Sequence, residues 1–143
     1  MELNLNAAFH CCLLARSRMR RDGRHGRIIN VSSIFGHLGS SMFRLSAYAA
    51  SKGGIENLTR QLAVEWAAEG ITVNAIAPAW FPSEMTAGSI EKPGVVDRMG
   101  AGCPLGGMGK TFELRTACLF LAAPASSYVT GAIVPVDGGY SAW

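Results

Sequence analysis

The chain has 143 residues, of which 49% are hydrophobic and 16% are charged, and its formal net charge is +3. These values are typical of one globular domain and exclude a disordered chain. No apolar run is long enough to span a bilayer and the start resembles no secretory leader, so we expect a cytoplasmic protein without membrane contact. The four cysteines show no metal-ligand spacing, and we expect reduced thiols that fill the core and no metal.

The predicted elements alternate between helices and strands. Ser46 is a suitable N-cap for the central helix. Gly23 is expected to end the first helix, Gly70 the central helix, and Pro78 the strand over residues 71–77. We predict helices over residues 2–21, 47–68, 83–90 and 111–122, and strands over residues 27–32, 71–77 and 133–136. This order favours an α/β fold with about three parallel strands and flanking helices.

The loops at the carboxyl ends of parallel strands meet at one edge of the sheet, which is where such folds place their functional sites. The loops after residues 27–32 and 71–77 are therefore the predicted location of a functional site. A cluster of cations at Arg16, Arg18, Arg20, Arg21, Arg24, His25 and Arg27 comes before the first strand, at the opposite edge. It is open to interpretation as a phosphate or nucleic-acid patch, but its position favours a helix end and loop, so we expect no nucleic-acid partner.

Tyr48 and Lys52 stand four residues apart in the predicted central helix, so both side chains leave the same helix face. A free tyrosine titrates near pH ~10, too high for proton transfer at neutrality. A lysine cation about 4 Å away favours the phenolate by roughly 4 kcal/mol at an effective dielectric constant of about 20. The pair is therefore a candidate general acid/base, although a bare Y-x-x-x-K is more often a solvated helix face.

Several motifs follow one another along nearly the whole chain. They are Asn4–Phe9, Arg27–Ser33 with Gly36, Tyr48–Gly54, Gly70–Pro78, Phe120–Ala122, Tyr128–Gly131 and Val136–Gly139. In this order and spacing they resemble the C-terminal half of a short-chain dehydrogenase/reductase of the single-domain type. The resemblance implies the C-terminal half of a Rossmann-like doubly wound parallel sheet.

The resemblance also implies roles for four residues. Ser33, chosen over Ser32 by its spacing to Gly36, would hold the substrate oxygen. Tyr48 would pass a proton to or from that oxygen, and Lys52 would stabilise its phenolate and bind the nicotinamide ribose. Asn4 would hold a water molecule that connects Lys52 to solvent.

The segment from Pro78 to Ser83 resembles the nicotinamide loop of the family. Together with Tyr48 and Lys52, the implied cofactor-binding residues are Pro78, Ala79, Phe81 and Ser83, and the implied cofactor is NAD or NADP. Ala79 stands where the family usually has glycine, and Ser83 where it usually has threonine.

The loop before Tyr48 carries Phe35, His37, Leu38, Met42 and Phe43, which we expect to line an apolar substrate pocket. His37 has two interpretations, a helper in catalysis or an exposed loop histidine. A further segment, Pro104–Thr111, nearly matches the phosphate-binding loop of NTPases, but no strand is predicted before it, and we interpret it as a connection into the next helix.

No strand, glycine-rich turn and helix able to hold a pyrophosphate is predicted in these 143 residues. We therefore expect residues 1–143 to form the catalytic half of a domain whose dinucleotide-binding half is absent, with weak cofactor binding and no turnover by this chain alone. The predicted function is hydride transfer between NAD(P) and a small carbonyl or alcohol substrate. The alternative is a non-catalytic assembly or binding module. In either case the family's four-helix interface implies a homodimer or homotetramer.

Overall fold

The computed structural model describes residues 1–22 and 25–142. Gly23, the expected stop of the first helix, and Arg24 lie outside the described residues. The helices are α1 (Ala7–Arg21), α2 (Ser46–Trp66), α3 (Glu84–Ile90), α4 (Val95–Ala101) and α5 (Thr111–Ala122). The strands are β1 (Gly26–Val31), β2 (Ile71–Pro78) and β3 (Ile133–Val136). Every predicted element is present within one or two residues of its expected bounds, and α4 is an addition.

The three strands form one parallel sheet in the order β1-β2-β3. Strand β2 is central, and seven of its eight residues are buried because it has a strand on each side and helices against its faces. The carboxyl ends of β1, β2 and β3 lie at Val31, Pro78 and Val136, so the loops that follow them share one edge. The expected three-stranded α/β architecture is confirmed.

Helix α2 packs against the sheet and also against the turns before α1 and after β1. Its glycines allow this close approach. A Cβ atom on Gly53 would lie 3.0 Å from the carbonyl oxygen of Gly36, and one on Gly54 would lie 2.8 Å from Leu5 Cδ2. The helix begins at Ser46 itself, with Leu45 at the N-cap and no side-chain cap, so the prediction of Ser46 as N-cap was wrong.

The first predicted helix has two parts. Residues Glu2–Asn6 form a π-helical turn, and the regular helix α1 follows it directly. Short π-helical segments are rare and are often found at functional sites. This turn carries Asn4, one of the candidate site residues, and holds it beside α2.

The segment between β2 and α5 was predicted as mostly irregular with one short helix. Helix α3 is that helix, and α4 was missed because seven residues with two glycines beside them give little periodic signal. Helix α4, rather than a strand, precedes Pro104–Thr111. A phosphate-binding loop needs a preceding strand, so the NTPase interpretation is not supported here.

Four of the cations at the amino end of the sheet are engaged in structural contacts. Arg16 and Arg20 pair with Glu69, and Arg18 pairs with Asp22. Arg27 donates hydrogen bonds to the carbonyl oxygens of residues 122, 123 and 124 at 3.0–3.1 Å, where α5 ends. These contacts support the interpretation of the cluster as helix ends and loop. Arg24 lies outside the described residues.

The four cysteines are unpaired, as expected, but only two of them fill the core: Cys12 and Cys103 are buried, whereas Cys11 is exposed. Among the helices described, none is both long and apolar enough to cross a membrane.

One apolar cluster lies between α1, α2 and the sheet, around Trp66. The other lies beyond the carboxyl edge, around Phe35, Trp80 and Met99.

Candidate active site

Tyr48 and Lys52 lie one turn apart on α2, on the same face, as the sequence predicts. Lys52 Nζ lies 5.6 Å from the centroid of the Tyr48 ring. Within the described residues its ammonium donates one hydrogen bond, to the carbonyl oxygen of Val31 at 2.8 Å, at the end of β1. Burial lowers the pKa of Lys52 from its ordinary value of 10.5. The ammonium is thus anchored to the sheet beside the tyrosine, in a partly desolvated position.

Asn4 contacts the same turn of α2 from the other side. Its Nδ2 donates to Ser51 Oγ at 2.9 Å, and Ser51 Oγ donates to the carbonyl oxygen of Tyr48 at 2.7 Å. Ser51 is completely buried. Asn4 therefore fixes the turn that carries Tyr48 and Lys52, and its predicted water-holding role stays a prediction.

Ser32 and Ser33 have different surroundings. Ser32 Oγ lies 3.1 Å from the carbonyl oxygen of Lys52 and 3.2 Å from Glu56 Oε1, so it ties the end of β1 to α2. Ser33 is extended, and its Oγ accepts a hydrogen bond from the backbone N–H of Phe35 at 3.3 Å. That contact leaves the Ser33 O–H able to donate. Of the two serines, Ser33 is the one that lines a pocket together with Tyr48.

That pocket, which we call the Ser33–Tyr48 pocket, has a volume of about 190 Å³. It lies between the turn after β1, the start of α2, the segment after β2, and helices α3 and α4. Of the expected loop residues, Phe35 and Phe43 line it, while Leu38 and Met42 pack in the cluster behind it. His37 does not line it. The structure adds six lining residues that the sequence analysis did not name: Leu45, Trp80, Met85, Thr86, Ser89 and Met99.

Glu56 is a second residue that the sequence analysis missed. Its side chain is 3% exposed, and its Oε1 lies 2.8 Å from His37 Nδ1 and 3.2 Å from Ser32 Oγ. A Cβ atom on Gly36 would come within 2.5 Å of the same oxygen. Glu56 thus clamps the loop that carries Ser33 onto α2. A signal was present, because Tyr48, Lys52 and Glu56 follow one another at intervals of four on one helix face.

The four predicted nicotinamide-loop residues occupy four different positions. Pro78 is the last residue of β2, and Ala79 lines the Ser33–Tyr48 pocket. Phe81 lines a second cavity of about 340 Å³ behind Trp80, which Ala79 also borders. Ser83 is exposed and caps α3, where its hydroxyl and Thr86 hold each other's backbone N–H groups. The structure therefore brings Ser33, Tyr48 and Ala79 together in one pocket, whereas Phe81 and Ser83 do not line that pocket.

A family model described as enoyl-(acyl carrier protein) reductase matches residues 1–141, nearly the whole chain. The chain belongs to the short-chain dehydrogenase/reductase family. Among curated relatives of this family, it is 46% identical over 118 residues to galactitol 2-dehydrogenase (L-tagatose-forming) of Cereibacter sphaeroides, a match covering 82% of this chain and 46% of the relative.

Solved structures of short-chain dehydrogenases/reductases share the fold closely. A gluconate 5-dehydrogenase from Burkholderia cenocepacia, in complex with NADP and tartrate, superposes with a TM-score of 0.93 at 33% identity. A 4-hydroxyisoleucine dehydrogenase complexed with NADH superposes with a TM-score of 0.91 at 25% identity. The matches cover 100% and 99% of this chain but 55% and 58% of those chains. The chain likewise spans about half the length of the curated relatives it matches.

The carboxyl edge of this short-chain dehydrogenase/reductase has groups that fit the nicotinamide end of a dinucleotide. Lys52 has three N–H donors, and within the described residues one of them is engaged, by Val31. The buried indole N–H of Trp80, next to Ala79, has no partner among these residues. Unpaired donors at the end of a parallel sheet suit the hydroxyl and amide oxygens of a nicotinamide riboside.

Proposed function

We propose that this protein is an NAD(P)-dependent oxidoreductase that interconverts a small carbonyl compound and the corresponding alcohol, with Tyr48 as general acid/base. One observation carries the proposal: two hydroxyl groups, those of Ser33 and Tyr48, line the same pocket, and the cation of Lys52 lies one helical turn from Tyr48. A pair of hydroxyl donors beside a cation is suited to an oxygen on which negative charge develops.

When bound, a nicotinamide cofactor supplies a hydride to the carbonyl carbon, or accepts one from the alcohol carbon in the reverse direction. Ser33 donates a hydrogen bond to the carbonyl oxygen and orients it. As the C–H bond forms, Tyr48 gives its proton to that oxygen, so that the C=O group becomes C–OH. The Lys52 ammonium stabilises the phenolate that remains on Tyr48. Reprotonation from solvent closes the cycle, and Asn4 would hold a water on that route.

The cofactor-binding residues in this proposal are Tyr48, Lys52, Pro78, Ala79, Phe81 and Ser83. Ser83 would reach the carboxamide only by exchanging its contacts with Thr86, which now complete the cap of α3. Residues 1–143 would form the catalytic half of the domain, and the adenosine end of NAD or NADP would rest on residues outside this chain. We place this activity in the cytoplasm.

Assembly is a second function that the surface favours. Leu14 on α1 and Val64 on α2 are 72% and 77% exposed, and Leu119 on α5 is 69% exposed. Apolar surface that helices leave exposed marks contact sites between subunits where it forms a contiguous patch. We propose a homodimer or homotetramer built on these helices, which sedimentation velocity would detect. In the alternative, a non-catalytic module, assembly would be the whole function.

Tyr48→Phe tests the catalytic proposal, because it keeps the ring in the pocket and removes the proton that is transferred. We expect kcat to fall by roughly 10²–10⁴ while the free energy of unfolding is unchanged. The measurement is NAD(P)H oxidation with a panel of ketones, made on a form of the protein that has measurable activity. Tyr128→Phe is the matched control, since Tyr128 is fully exposed. Activity of Tyr48→Phe within about threefold of wild type would remove Tyr48 from this role.

A further inference from the structure

The walls of the Ser33–Tyr48 pocket carry no charge. Within residues 1–22 and 25–142, every side chain that lines it is neutral. Its apolar part consists of Phe35, Phe43, Leu45, Trp80, Met85 and Met99. The rings of Phe35 and Phe43 lie 5.4 and 5.7 Å from the ring of Trp80, which makes one side of the pocket an aromatic cluster.

Apart from the buried indole N–H of Trp80, the polar side-chain groups of the lining are hydroxyls, those of Ser33, Tyr48, Thr86 and Ser89. Thr86 is already engaged, because its Oγ1 donates to the carbonyl oxygen of Phe81 at 3.0 Å and accepts from the N–H of Ser83 at 2.9 Å. Ser33 and Tyr48 are assigned to the reacting oxygen. Beside the pair that holds the reacting oxygen, the described lining offers two neutral donors, the Ser89 hydroxyl and the Trp80 N–H, and it presents mainly apolar surface to the rest of the ligand.

The volume of the pocket limits the size of the substrate around its reacting oxygen. An apolar cavity of about 150 Å³ is enough to bind benzene, and drug-sized ligands occupy pockets of about 300 Å³ or more. The 190 Å³ available here corresponds to a single ring with one or two small substituents.

The absence of charge on these walls selects against ionised substrates. Moving a carboxylate or phosphate out of water costs several kcal/mol unless a cation or several donors receive it. Lys52 is the one cation in the candidate catalytic set, and among the described residues it is not a lining residue; its Nζ contacts the end of β1. A sugar acid or a phosphorylated substrate would lack a counter-ion here.

We propose that the substrate of this site is an uncharged carbonyl compound or alcohol with one alicyclic or aromatic ring, whose ring packs against the cluster of Phe35, Phe43 and Trp80. This inference rests on the proposed function for the assignment of Ser33 and Tyr48 to the reacting oxygen. The hydride and proton transfers are those of the proposed function, and the proposal specifies only the carbon skeleton of the substrate.

Ligand binding observed by NMR tests the proposal without turnover. The probes are cyclohexanone and 4-oxocyclohexanecarboxylate, which share a ring and a ketone and differ by one carboxylate. We expect cyclohexanone to shift the indole N–H signal of Trp80, assigned with Trp80→Phe, and the methyl signals of Met85 and Met99. We expect its affinity to exceed that of the anion by about tenfold or more, which is about 1.4 kcal/mol.

A charge introduced at the rim should weaken the preference for the uncharged ketone. Met85 is 72% exposed and lines the pocket, so Met85→Lys places a cation at the mouth without disturbing the core. We expect the anion to gain about fivefold in affinity from this charge, with little change for cyclohexanone. Tyr128→Lys adds the same charge at a fully exposed residue near the amino edge of the sheet and should change neither affinity.

Equal affinity for the two probes, or no shift at the Trp80 signal up to the solubility limit of cyclohexanone, would overturn the proposal. The binding result is independent of catalysis. If Tyr48→Phe keeps its activity while cyclohexanone still binds selectively, the catalytic assignment fails and the pocket assignment survives. If Tyr48→Phe loses activity and the anion binds as well as the ketone, only the substrate class is wrong.

Discussion

The two edges of the sheet carry different kinds of polar contact. At the amino edge, Arg16 and Arg20 share Glu69, and Arg27 satisfies carbonyl oxygens at the end of α5. At the carboxyl edge, the hydroxyl of Tyr48 has no hydrogen-bond partner within the described part of the chain, and Lys52 has one. The amino edge has more charge, yet the carboxyl edge has more unused hydrogen-bonding capacity.

This difference shows that residue type alone does not locate a site. A cluster of arginines indicates anion binding only where the guanidinium groups lack partners in the protein. The carboxyl-edge groups are held in place by their neighbours, through Ser51, Glu56 and Val31, while their reactive atoms stay available. Substitutions at the carboxyl edge should therefore change activity, and substitutions at the amino edge should change stability.

Among the neighbours of Tyr48, the largest expected effect is that of Lys52→Met. Losing the cation beside the phenolate removes up to about 4 kcal/mol of stabilisation, the value for a charge pair at about 4 Å and an effective dielectric constant of about 20, so we expect kcat to fall by up to roughly a thousandfold. Stability should stay equal or rise, because burial lowers the pKa of Lys52 and the charged form is therefore unfavourable in the folded chain. NAD(P)H oxidation and urea unfolding, measured on the same preparation, check both parts.

The pH dependence of stability gives a second readout for Lys52. Between its lowered folded pKa and the ordinary value of 10.5, the unfolded chain binds more protons, so the free energy of unfolding contributed by this residue rises with pH. That rise should be missing from Lys52→Met. A variant that is strongly destabilised at pH 7 would show instead that Lys52 is a structural residue like those of the amino edge.

Ser33→Ala and Ser32→Ala form a matched pair with the next largest effect. Removing one donor to a developing oxyanion costs about 10²–10³ in kcat, which we expect for Ser33→Ala with little loss of stability. Ser32→Ala should instead lower stability by about 1–3 kcal/mol, because Glu56 stays buried with one partner fewer. Steady-state kinetics and thermal unfolding separate them. The reversed pattern would mean that Ser32 holds the substrate oxygen.

The sequence predicted the elements of this fold because each has a local cause. Gly70 ends the central helical segment in a left-handed conformation with φ of 71°, and β2 ends at Pro78. The positions of Tyr48 and Lys52 follow from helical periodicity alone. The choice of Ser33 over Ser32 depended on the resemblance to known dehydrogenases, and it agrees with which of the two lines the pocket.

The pocket walls could not be predicted in the same way. Leu45, Met99 and Thr86 come from three different elements, and the sequence contains no local pattern that brings them together. Their contact depends on how α3 and α4 fold back over the carboxyl edge. Glu56 is different, because its spacing from Lys52 was visible and only its buried contacts with Ser32 and His37 were not.

Arg27→Met tests the amino edge. It removes the hydrogen bonds at 3.0–3.1 Å to the carbonyl oxygens after α5, so we expect a loss of about 1–3 kcal/mol in stability, measured by urea unfolding. The kcat value should not change. Arg18→Met is the control, since the Arg18–Asp22 pair is exposed and worth about 0–1 kcal/mol. A drop in cofactor or substrate affinity in Arg27→Met would indicate that this edge binds a ligand after all.

The smallest expected effect concerns Asp137, just after β3. Burial by itself would raise the pKa of this carboxylate, but hydrogen bonds from Ser141 and the N–H of Gly139, with His37 nearby, lower it from its ordinary value of 3.8. A carboxylate with a lowered pKa stabilises the folded chain above pH 3.8, and this contribution is lost as the pH falls through the folded pKa. Asp137→Asn should therefore lower stability at pH 7 by no more than about 1 kcal/mol, given solvent screening, and should weaken the loss of stability below pH 4. Unfolding followed from pH 7 to about pH 2 measures this difference, with exposed Glu91→Gln as the control. An unchanged acid transition in Asp137→Asn would mean that the turn after β3 is held by its glycine backbone rather than by the carboxylate.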